Sequence, residues 1–205
     1  MVVIVDYGMG NLGSILNMLR KIGTHAIISS KEEEVKQADK LILPGVGAFD
    51  NGISSLTRLG LIPHLDQKVL QEKTPTLGIC LGMQLFGKKS EEGRLPGLGW
   101  IDAEVKKFQF EEAGRRLKIP HMGWNFVKTR RQSPLFKGLE KDSRFYFAHS
   151  YHVVCSNTDD PVAETVYGHK FTSSLQRENV LGVQFHPEKS HKFGMTLLRN
   201  FIDYF

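Results

Sequence analysis

Two patterns of hydrophobic and polar positions divide the chain into halves. In the first half, short runs of consecutive apolar residues alternate with stretches in which apolar residues recur at helical spacing. The apolar runs cover residues 2–5, 26–28, 41–43 and 75–79. Short strands that are apolar on both faces, and that helices separate, are typical of a parallel sheet covered on both sides. The pattern therefore predicts an α/β fold with a central, mainly parallel sheet flanked by helices.

Helical spacing predicts three helices in this half. Apolar residues recur from Asn11 until Gly23, and glycine is a frequent helix terminator. A second helix is predicted from Ser30 to Ala38, because Ser30 and Glu33 have the spacing of a capping box. The third covers residues 50–59.

The second half has a different pattern. Segments such as 101–105 and 162–166 alternate apolar and polar residues, which predicts an antiparallel β portion with one face in water. Near the end, Phe193, Leu197 and Phe201 share one helical stripe. No repeat or linker rich in proline, glycine or serine separates the halves, so we expect one domain spanning residues 1–205.

Composition narrows the class of protein. The chain has 205 residues and a net charge of +5, but its basic residues are interspersed with acidic ones, so we expect no nucleic-acid binding. No apolar run approaches the ~20 residues of a membrane span, so we expect no membrane association and a cytoplasmic location. Two cysteines, Cys80 and Cys155, cannot form a disulfide framework.

Cys80 carries the strongest chemical signal. It stands between two glycines in Gly-Ile-Cys-Leu-Gly, directly after an apolar run and before a helix-like stretch. A nucleophile flanked by small residues at a strand-to-helix turn is the pattern of a nucleophile elbow, which lifts the side chain clear of the sheet. The first turn of the following helix would stabilise a thiolate and would offer the Leu81 N–H to an oxyanion.

A base and a carboxylate close a later apolar run. His186 and Glu188 flank Pro187, and proline favours an extended conformation in the residue before it. Residues two apart in an extended segment share a face, so Glu188 is expected to orient the His186 imidazole. Cys80, His186 and Glu188 together predict nucleophilic acyl transfer.

Backbone donors are expected near the nucleophile. Gly45, Val46 and Gly47 follow the apolar run 41–43, and the two glycines permit a backbone that exposes N–H groups. Because sites in parallel sheets form beyond the carboxyl ends of strands, this loop is expected close to Cys80. The sequence therefore predicts an oxyanion hole formed by the backbone of Val46, Gly47 and Leu81.

Two other functions fit the residues less well. Residues 8–13 match Gly-x-Gly-x-x-Gly, but no acidic residue ends the second strand, which speaks against a dinucleotide site. His149 and His152 are three apart in a predicted strand, so they face opposite sides and do not form a metal site. We therefore expect neither a metal nor a cofactor.

Several motifs resemble the class I, triad-type glutamine amidotransferases, and more closely those glutaminase subunits that serve histidine biosynthesis. The resemblance runs nearly end to end. The elbow and His-Pro-Glu are common to the class, whereas the motifs at 6–12, 120–125 and 186–190 are more particular to these subunits. The motifs are Asp-Tyr-Gly-Met-Gly-Asn-Leu at 6–12, Leu-Pro-Gly-Val-Gly at 43–47, the elbow at 78–84, Ser-Glu-Glu-Gly at 90–93, Pro-His-Met-Gly-Trp-Asn at 120–125, Phe-Ala-His-Ser-Tyr at 147–151 and His-Pro-Glu-Lys-Ser at 186–190.

The resemblance implies an activity and a set of site residues. It implies hydrolysis of L-glutamine to L-glutamate and ammonia through a cysteine thioester. It further implies that glutamine is bound by Gly45, Gln84, Glu92, Ser150 and Tyr151.

The resemblance also implies a partner. This is a (βα)8-barrel cyclase subunit that receives the ammonia in a heterodimer and makes imidazole glycerol phosphate and an aminoimidazole carboxamide ribonucleotide. Asn11, Trp124 and Lys189 are predicted to lie at the interface, because each stands in or beside one of the motifs on the catalytic rim. His191 departs from the family's pattern, in which a small polar residue is expected after Ser190.

Other functions remain open at this point. The glutaminase subunit of another amidotransferase, such as anthranilate synthase or a pyridoxal phosphate synthase, would share the triad but not residues 120–125. The further alternatives are a free-standing cysteine hydrolase and an inactive interaction subunit.

Overall fold

The computed structural model describes residues 1–110, 117–139 and 142–205. Most of its strands belong to one sheet, and one pair forms a small second sheet. In chain order the strands are β1 (Val2–Val5), β2 (Ala26–Ser29), β3 (Lys40–Gly45), β4 (Thr76–Cys80), β5 (Lys89–Ser90), β6 (Ala103–Lys107), β7 (His121–Phe126), β8 (Lys128–Thr129), β9 (Arg144–His149), β10 (Tyr151–Cys155), β11 (Pro161–Tyr167), β12 (His169–Arg177) and β13 (Val180–Val183).

The helices follow the strands of the first half and close the chain. They are α1 (Leu12–Ile22), α2 (Glu32–Lys36), α3 (Phe49–Arg58), α4 (Ile62–Asp66) with a π-helix (Gln67–Gln71) directly after it, α5 (Leu81–Leu85) and α6 (His191–Tyr204). Gly23 adopts a left-handed conformation with φ of 89° and ends α1, as predicted. The capping box predicted at Ser30 is wrong, because α2 begins one residue later and Lys31 is at its N-cap, with no side-chain hydrogen bond.

The large sheet joins a parallel half to an antiparallel half. Its 11 strands include the path β2-β1-β3-β4-β13-β12-β10-β6-β5. Strands β2, β1, β3, β4 and β13 are parallel, whereas β12 is antiparallel to both β13 and β10. Strand β13 comes from the second half of the sequence but completes the parallel half, and so brings the residues after it beside β4.

Two hydrophobic clusters hold the layers together. One contains Ile4, Ile42 and Leu181 from the sheet with Leu19 of α1 and Phe201 of α6. The other contains alternate residues of the same strands, packed on α3 and α5. Because successive side chains of a strand point to opposite faces, each apolar run supplies both clusters. The predicted fold class, an α/β sheet that is mainly parallel with an antiparallel portion, is confirmed.

Strands β7 and β9 form the separate small sheet. They are antiparallel, and His121 lies opposite His149. An isolated bridge between Tyr146 and His186 connects this hairpin-like pair to the segment after β13. The small sheet therefore stands at the carboxyl end of the parallel strands.

Candidate active site

Cys80 occupies a strained turn. It is the last residue of β4 and directly precedes α5, with φ of 55° and ψ of −109°. A non-glycine residue with positive φ is uncommon and costs free energy, and such residues cluster at functional sites. The turn is the geometry of a nucleophile elbow, which the Gly-Ile-Cys-Leu-Gly pattern predicted.

The glycines of the elbow allow the turn to pack against the sheet. A Cβ atom on Gly82 would lie 1.8 Å from the carbonyl oxygen of Leu43, and one on Gly78 would lie 2.5 Å from the Phe86 ring. Neither position can accept a larger residue unless its neighbours move. The sequence signal, small residues on both sides of the nucleophile, thus has a steric cause in this chain.

We expect Gly82→Ala to destabilise the fold, by about 3 kcal/mol or more, because the methyl group would overlap a backbone carbonyl that cannot rotate away. Gly13→Ala is the matched control: Gly13 lies in α1, and a Cβ there meets no atom within 4 Å. The control should be neutral or slightly stabilising, since alanine favours helix. Chemical denaturation measures both variants, and equal stabilities would contradict the steric argument.

His186 and Glu188 form a buried pair. The Nδ1 atom of His186 lies 2.8 Å from Oε1 of Glu188. The amide of Asn11 donates to the same carboxylate oxygen at 3.0 Å. The predicted contact is therefore present, but its expected geometry is wrong: His186 is extended, whereas Pro187–Lys189 form a turn of 3₁₀ helix instead of continuing the strand.

The charges of this pair support an imidazolium. Burial lowers the pKa of His186, but hydrogen bonds and charge from Cys80 and Glu188 outweigh burial and raise the pKa to about 10. For Glu188, burial acts to raise the pKa, and the His186 imidazole and the Asn11 amide outweigh it, so that the net shift is downward. The Glu188 carboxylate can thus stabilise an imidazolium at His186.

A small cavity opens in front of the thiol. Its volume is about 180 Å³. It contains most of the predicted substrate and oxyanion residues, while Gly45, His186 and Glu188 do not line it. The lining residues are Val46, Gly47, Cys80, Leu81, Gln84, Glu92, Pro120, Met122, Ala148, His149, Ser150 and Tyr151.

Gln84 and Glu92 reach the cavity from different elements. Gln84 is buried, and its amide donates to the Tyr151 carbonyl and to Oε1 of Gln184, both at 3.1 Å. Glu92 accepts the Phe49 N–H at 2.9 Å. Burial raises the pKa of Glu92, with the Phe49 N–H acting against it and the Asp50 charge adding to it. Glu92 is thus a carboxylate that a cation in the cavity would stabilise.

Gln184 is a residue that the sequence reasoning missed. Its amide lies 3.7 Å from Sγ of Cys80 and its oxygen accepts from Gln84. A signal was present, because Gln184 and His186 are two apart in a segment where His186 is extended.

The predicted oxyanion loop, Gly45–Gly47, begins buried in β3 and becomes exposed after Gly45. Gly45 is the buried last residue of β3, opposite Cys80, and a Cβ there would lie 2.6 Å from the Tyr7 hydroxyl oxygen. The Tyr7 hydroxyl donates to the Pro44 carbonyl. Beyond the strand, Val46 is 49% exposed and Gly47 has φ of 128°. Leu81, the third predicted donor, is the first residue of α5.

The predicted interface residues do not line the cavity, and each contacts, or belongs to, the segment that follows β13 or the small sheet bridged to it. Trp124 is 45% exposed on β7 and stacks on His191, with ring centroids 5.5 Å apart. The Lys189 ammonium lies 5.6 Å from the centroid of the Tyr146 ring, which touches Trp124 edge-on. His191, the residue that departs from the family's pattern, therefore packs its ring against the exposed Trp124. Asn11, in contrast, makes its contact with Glu188 of the site itself.

Across residues 1–110, 117–139 and 142–205, no group of three or more acidic, histidine or cysteine side chains could hold a metal ion. Within the same ranges, no helix is both long and apolar enough to span a membrane.

Comparison with curated proteins gives full-length relatives. The imidazole glycerol phosphate synthase subunit HisH 2 of Methanococcus maripaludis is 55% identical over 202 residues, which cover 98% of each chain. The protein of the same name from Pseudomonas aeruginosa is 50% identical over 203 residues, or 99% of each chain. Subunit HisH of Bdellovibrio bacteriovorus is 47% identical over 201 residues, or 98% of each chain.

Solved structures share the fold at lower identity. PurLQS from Thermotoga maritima has a TM-score of 0.73 at 17% identity, covering 99% of this chain and 97% of that one. A glutamine amidotransferase from the same organism has a TM-score of 0.68 at 15% identity, covering 98% and 96%. These likenesses concern the fold alone.

The family model described as glutamine amidotransferase class-I matches residues 3–204. The resemblance that the motifs indicated is therefore confirmed over nearly the whole sequence, and this chain belongs to the class-I glutamine amidotransferases.

Proposed function

We propose that this chain is the glutaminase subunit of an imidazole glycerol phosphate synthase, in which it supplies ammonia from L-glutamine for histidine biosynthesis. The observation that carries the proposal is the arrangement at the cavity: the strained Cys80 lines it, and His186, which is paired with Glu188 at 2.8 Å, lies within hydrogen-bond reach of the Cys80 thiol. Relatives at 47–55% identity over 98% of this chain bear that subunit's name.

In the proposed first step, the Cys80 thiolate attacks the side-chain carboxamide carbon of L-glutamine. The tetrahedral oxyanion is stabilised by the Leu81 N–H and by a backbone N–H of the Val46–Gly47 segment. The carbon–nitrogen bond then breaks, and the His186 imidazolium gives its proton to the departing nitrogen, which leaves as ammonia. A γ-glutamyl thioester remains on Cys80.

Water then hydrolyses the thioester, with His186 acting as a base instead of as an acid. His186, now neutral, takes a proton from water, and the resulting hydroxide attacks the thioester carbonyl. The carbon–sulfur bond breaks, L-glutamate leaves, and the thiolate–imidazolium pair is restored. Glu188 orients His186 and stabilises its charge throughout, and Asn11 holds Glu188 in place through their 3.0 Å hydrogen bond.

Substrate binding is assigned to the other lining residues. The Glu92 carboxylate has the charge to pair with the α-ammonium group of glutamine. The backbone at Ser150 and Tyr151 offers polar groups along the cavity, and Gln84 donates to the Tyr151 carbonyl. Gly45 does not line the cavity and is assigned to binding as the last residue of β3, from which the Val46–Gly47 loop starts. No cofactor takes part in these steps.

Ammonia requires an acceptor, and the proposed acceptor is a (βα)8-barrel cyclase subunit that forms a heterodimer with this chain. Support comes from the exposed side of β7, where Met122, Trp124 and Phe126 are 64%, 45% and 55% exposed. Three large apolar side chains in a row are unusual on a free surface. Because Met122 also lines the cavity, a partner seated there would cover the exit route of ammonia.

We expect Trp124→Ala to weaken cyclase binding about 30-fold, since exposed aromatic anchors often contribute about 2 kcal/mol to an interface. Lys189→Ala should have a smaller effect, about fivefold, because the ammonium is exposed. Titration of the labelled chain with the cyclase measures both affinities, and cyclase-stimulated glutaminase activity is recorded in parallel.

Leu59→Ala is the control for these two variants. Leu59 is 38% exposed and follows the last residue of α3, a helix of 10 residues that begins beside the cavity loop. It therefore lies about 15 Å from the rim, and its replacement should leave affinity unchanged. If Trp124→Ala and Lys189→Ala both kept the parental affinity and the parental stimulation, neither residue would contact the cyclase, and the docking surface would lie elsewhere.

A glutaminase assay with and without the cyclase of the same organism tests the proposed function. Formation of L-glutamate together with the cyclase product, from glutamine as nitrogen source, is the expected result. No L-glutamate in the complex would favour an inactive interaction subunit. Rapid L-glutamate formation that no cyclase affects would favour a free-standing hydrolase.

A further inference from the structure

A chain of hydrogen bonds runs behind the cavity through two buried histidines. His121 of β7 and His149 of β9 face each other, and Nδ1 of His121 lies 3.0 Å from Nε2 of His149. Nδ1 of His149 lies 2.7 Å from the carbonyl oxygen of Tyr151. At the other end, the Asn125 amide nitrogen lies 3.2 Å from Nε2 of His121. The proposed reaction uses neither imidazole.

The partners of these rings determine where the protons are. A carbonyl oxygen only accepts, so Nδ1 of His149 must carry a proton. Burial lowers the pKa of His149 to about 3 and that of His121 to about 4, so both rings are neutral. Nε2 of His149 is then a bare acceptor, and the proton between the rings belongs to Nδ1 of His121.

The contacts of Asn125 indicate the same donor-to-acceptor direction along the chain of hydrogen bonds. The Asn125 amide nitrogen also donates to the Val166 carbonyl at 3.0 Å, and its oxygen accepts the Phe126 N–H at 2.8 Å. The orientation of the amide is therefore fixed, and its nitrogen donates to Nε2 of His121. Each hydrogen bond in the chain points toward Tyr151, and no polar atom of either ring lacks a partner.

The chain ends at the substrate cavity. The Tyr151 carbonyl accepts a second hydrogen bond, from the Gln84 amide at 3.1 Å, and that amide also bonds Gln184 beside Cys80. His149, Ser150 and Tyr151 all line the cavity. We propose that His149, oriented by His121 and Asn125, is a positioning residue that fixes the Tyr151 carbonyl and the backbone at 149–151 for recognition of the amino-acid part of the substrate.

This inference rests on the proposed function only for its kinetic test. We expect His149→Phe, which keeps an aromatic ring among Phe108, Phe147 and Phe171, to raise KM for L-glutamine about tenfold in the cyclase complex. The kcat value should change less than about threefold, because Cys80, His186 and the elbow are untouched. His149→Asn places an amide nitrogen near the Nδ1 position and should recover most of the KM.

His152→Phe is the matched control. His152 is buried one residue after Tyr151, its ring lies 4.8 Å from that of Phe108, and among the described residues its Nδ1 has no hydrogen-bond partner. It shares the Phe108 and Phe171 neighbours but has no place in the chain, so its replacement should leave KM unchanged. An unchanged KM in His149→Phe, or equal increases in His149→Phe and His152→Phe, would overturn the proposal.

The proton positions give a test that needs neither substrate nor partner. Nitrogen-15 spectra of the parent chain at neutral pH should show both His121 and His149 as neutral rings protonated on Nδ1, the less common tautomer. In His121→Phe, the Tyr151 carbonyl still requires the proton on Nδ1 of His149, whereas Nε2 loses its donor, so the nitrogen-15 signal of Nε2 should shift and that of Nδ1 should stay. A parent spectrum with either ring protonated on Nε2 would overturn the proposal, even if His149→Phe failed to fold, and it would leave the proposed glutaminase function intact.

Discussion

Replacing Cys80 with serine should reduce glutamine-dependent product formation by at least about 10⁴-fold and leave ammonia-dependent product formation by the complex intact. A serine hydroxyl can occupy the strained turn and contact His186, but it is a much weaker acid than a thiol, so it does not transfer its proton to the imidazole to form an ion pair as a thiol can. The thioester therefore cannot form. Ammonium supplied in the buffer bypasses the cavity, because the cyclase performs its own chemistry.

The measurement compares the two nitrogen sources on one preparation of the complex, so a folding defect and a catalytic defect are separated. Cys155→Ser is the matched control. Cys155 lies on β10, and burial, with the Asp160 charge, raises the pKa of its thiol to about 12, which makes it unreactive. Substantial glutamine-dependent turnover in Cys80→Ser, or its loss in Cys155→Ser alone, would show that Cys80 is not the nucleophile.

The parallel half of the fold could be predicted because its signals are local. The short apolar runs predicted the positions of β1 to β4, and Gly23 predicted the end of α1. The elbow was predictable for the same reason, since strand, nucleophile, glycines and helix are contiguous in the sequence. The small packing distances at Gly78 and Gly82 explain why that local pattern is so specific.

Local signals gave less information where tertiary contacts determine the structure. The short helix Ile62–Asp66 and the π-helix after it were not predicted, and their buried residues Leu65 and Val69 belong to a hydrophobic cluster with strand residues that are distant in the sequence. The capping spacing at Ser30 was misleading, because the hydroxyl that accepts a backbone N–H just before α2 belongs to Ser29, which accepts from Lys31. Neighbouring serines can compete for the same backbone donors, so the spacing of a capping box is a weak signal.

The candidate site shows the same division. Cys80, His186 and Glu188 were identified from residue type and spacing, but the His186–Glu188 contact was predicted for an extended strand, whereas the chain makes a 3₁₀ turn there. The contacts of Asn11 with Glu188 and of Gln184 with Gln84 join residues far apart in the sequence. Only the topology, with β13 inserted beside β4, brings these groups together.

The isolated chain should be a poor glutaminase, and the cyclase with its ligand bound should raise its rate about 10²–10³-fold, the usual effect of one oxyanion donor. The physical reason is the free end of the loop after β3. Tyr7 fixes the Pro44 carbonyl, whereas Val46 is half exposed and Gly47 has a positive φ that glycine adopts readily. The peptide groups beyond Gly45 can therefore turn, and a partner covering the rim can select the orientation that points an N–H at the oxyanion.

Gly47→Ala tests the role of this loop. Its Cβ would lie 2.5 Å from Cε of Met9, and its φ of 128° is strained for alanine, so both the loop orientation and its freedom change. We expect most of the cyclase stimulation to be lost while ammonia-dependent product formation continues. Gly23→Ala also places alanine at a positive φ, of 89°, where no atom of the described residues lies within 4 Å of the new Cβ, and it should keep full stimulation. Equal glutaminase rates for the isolated parent chain and the liganded complex would rule out gating by this loop, because an oxyanion hole that is already formed leaves the partner nothing to complete.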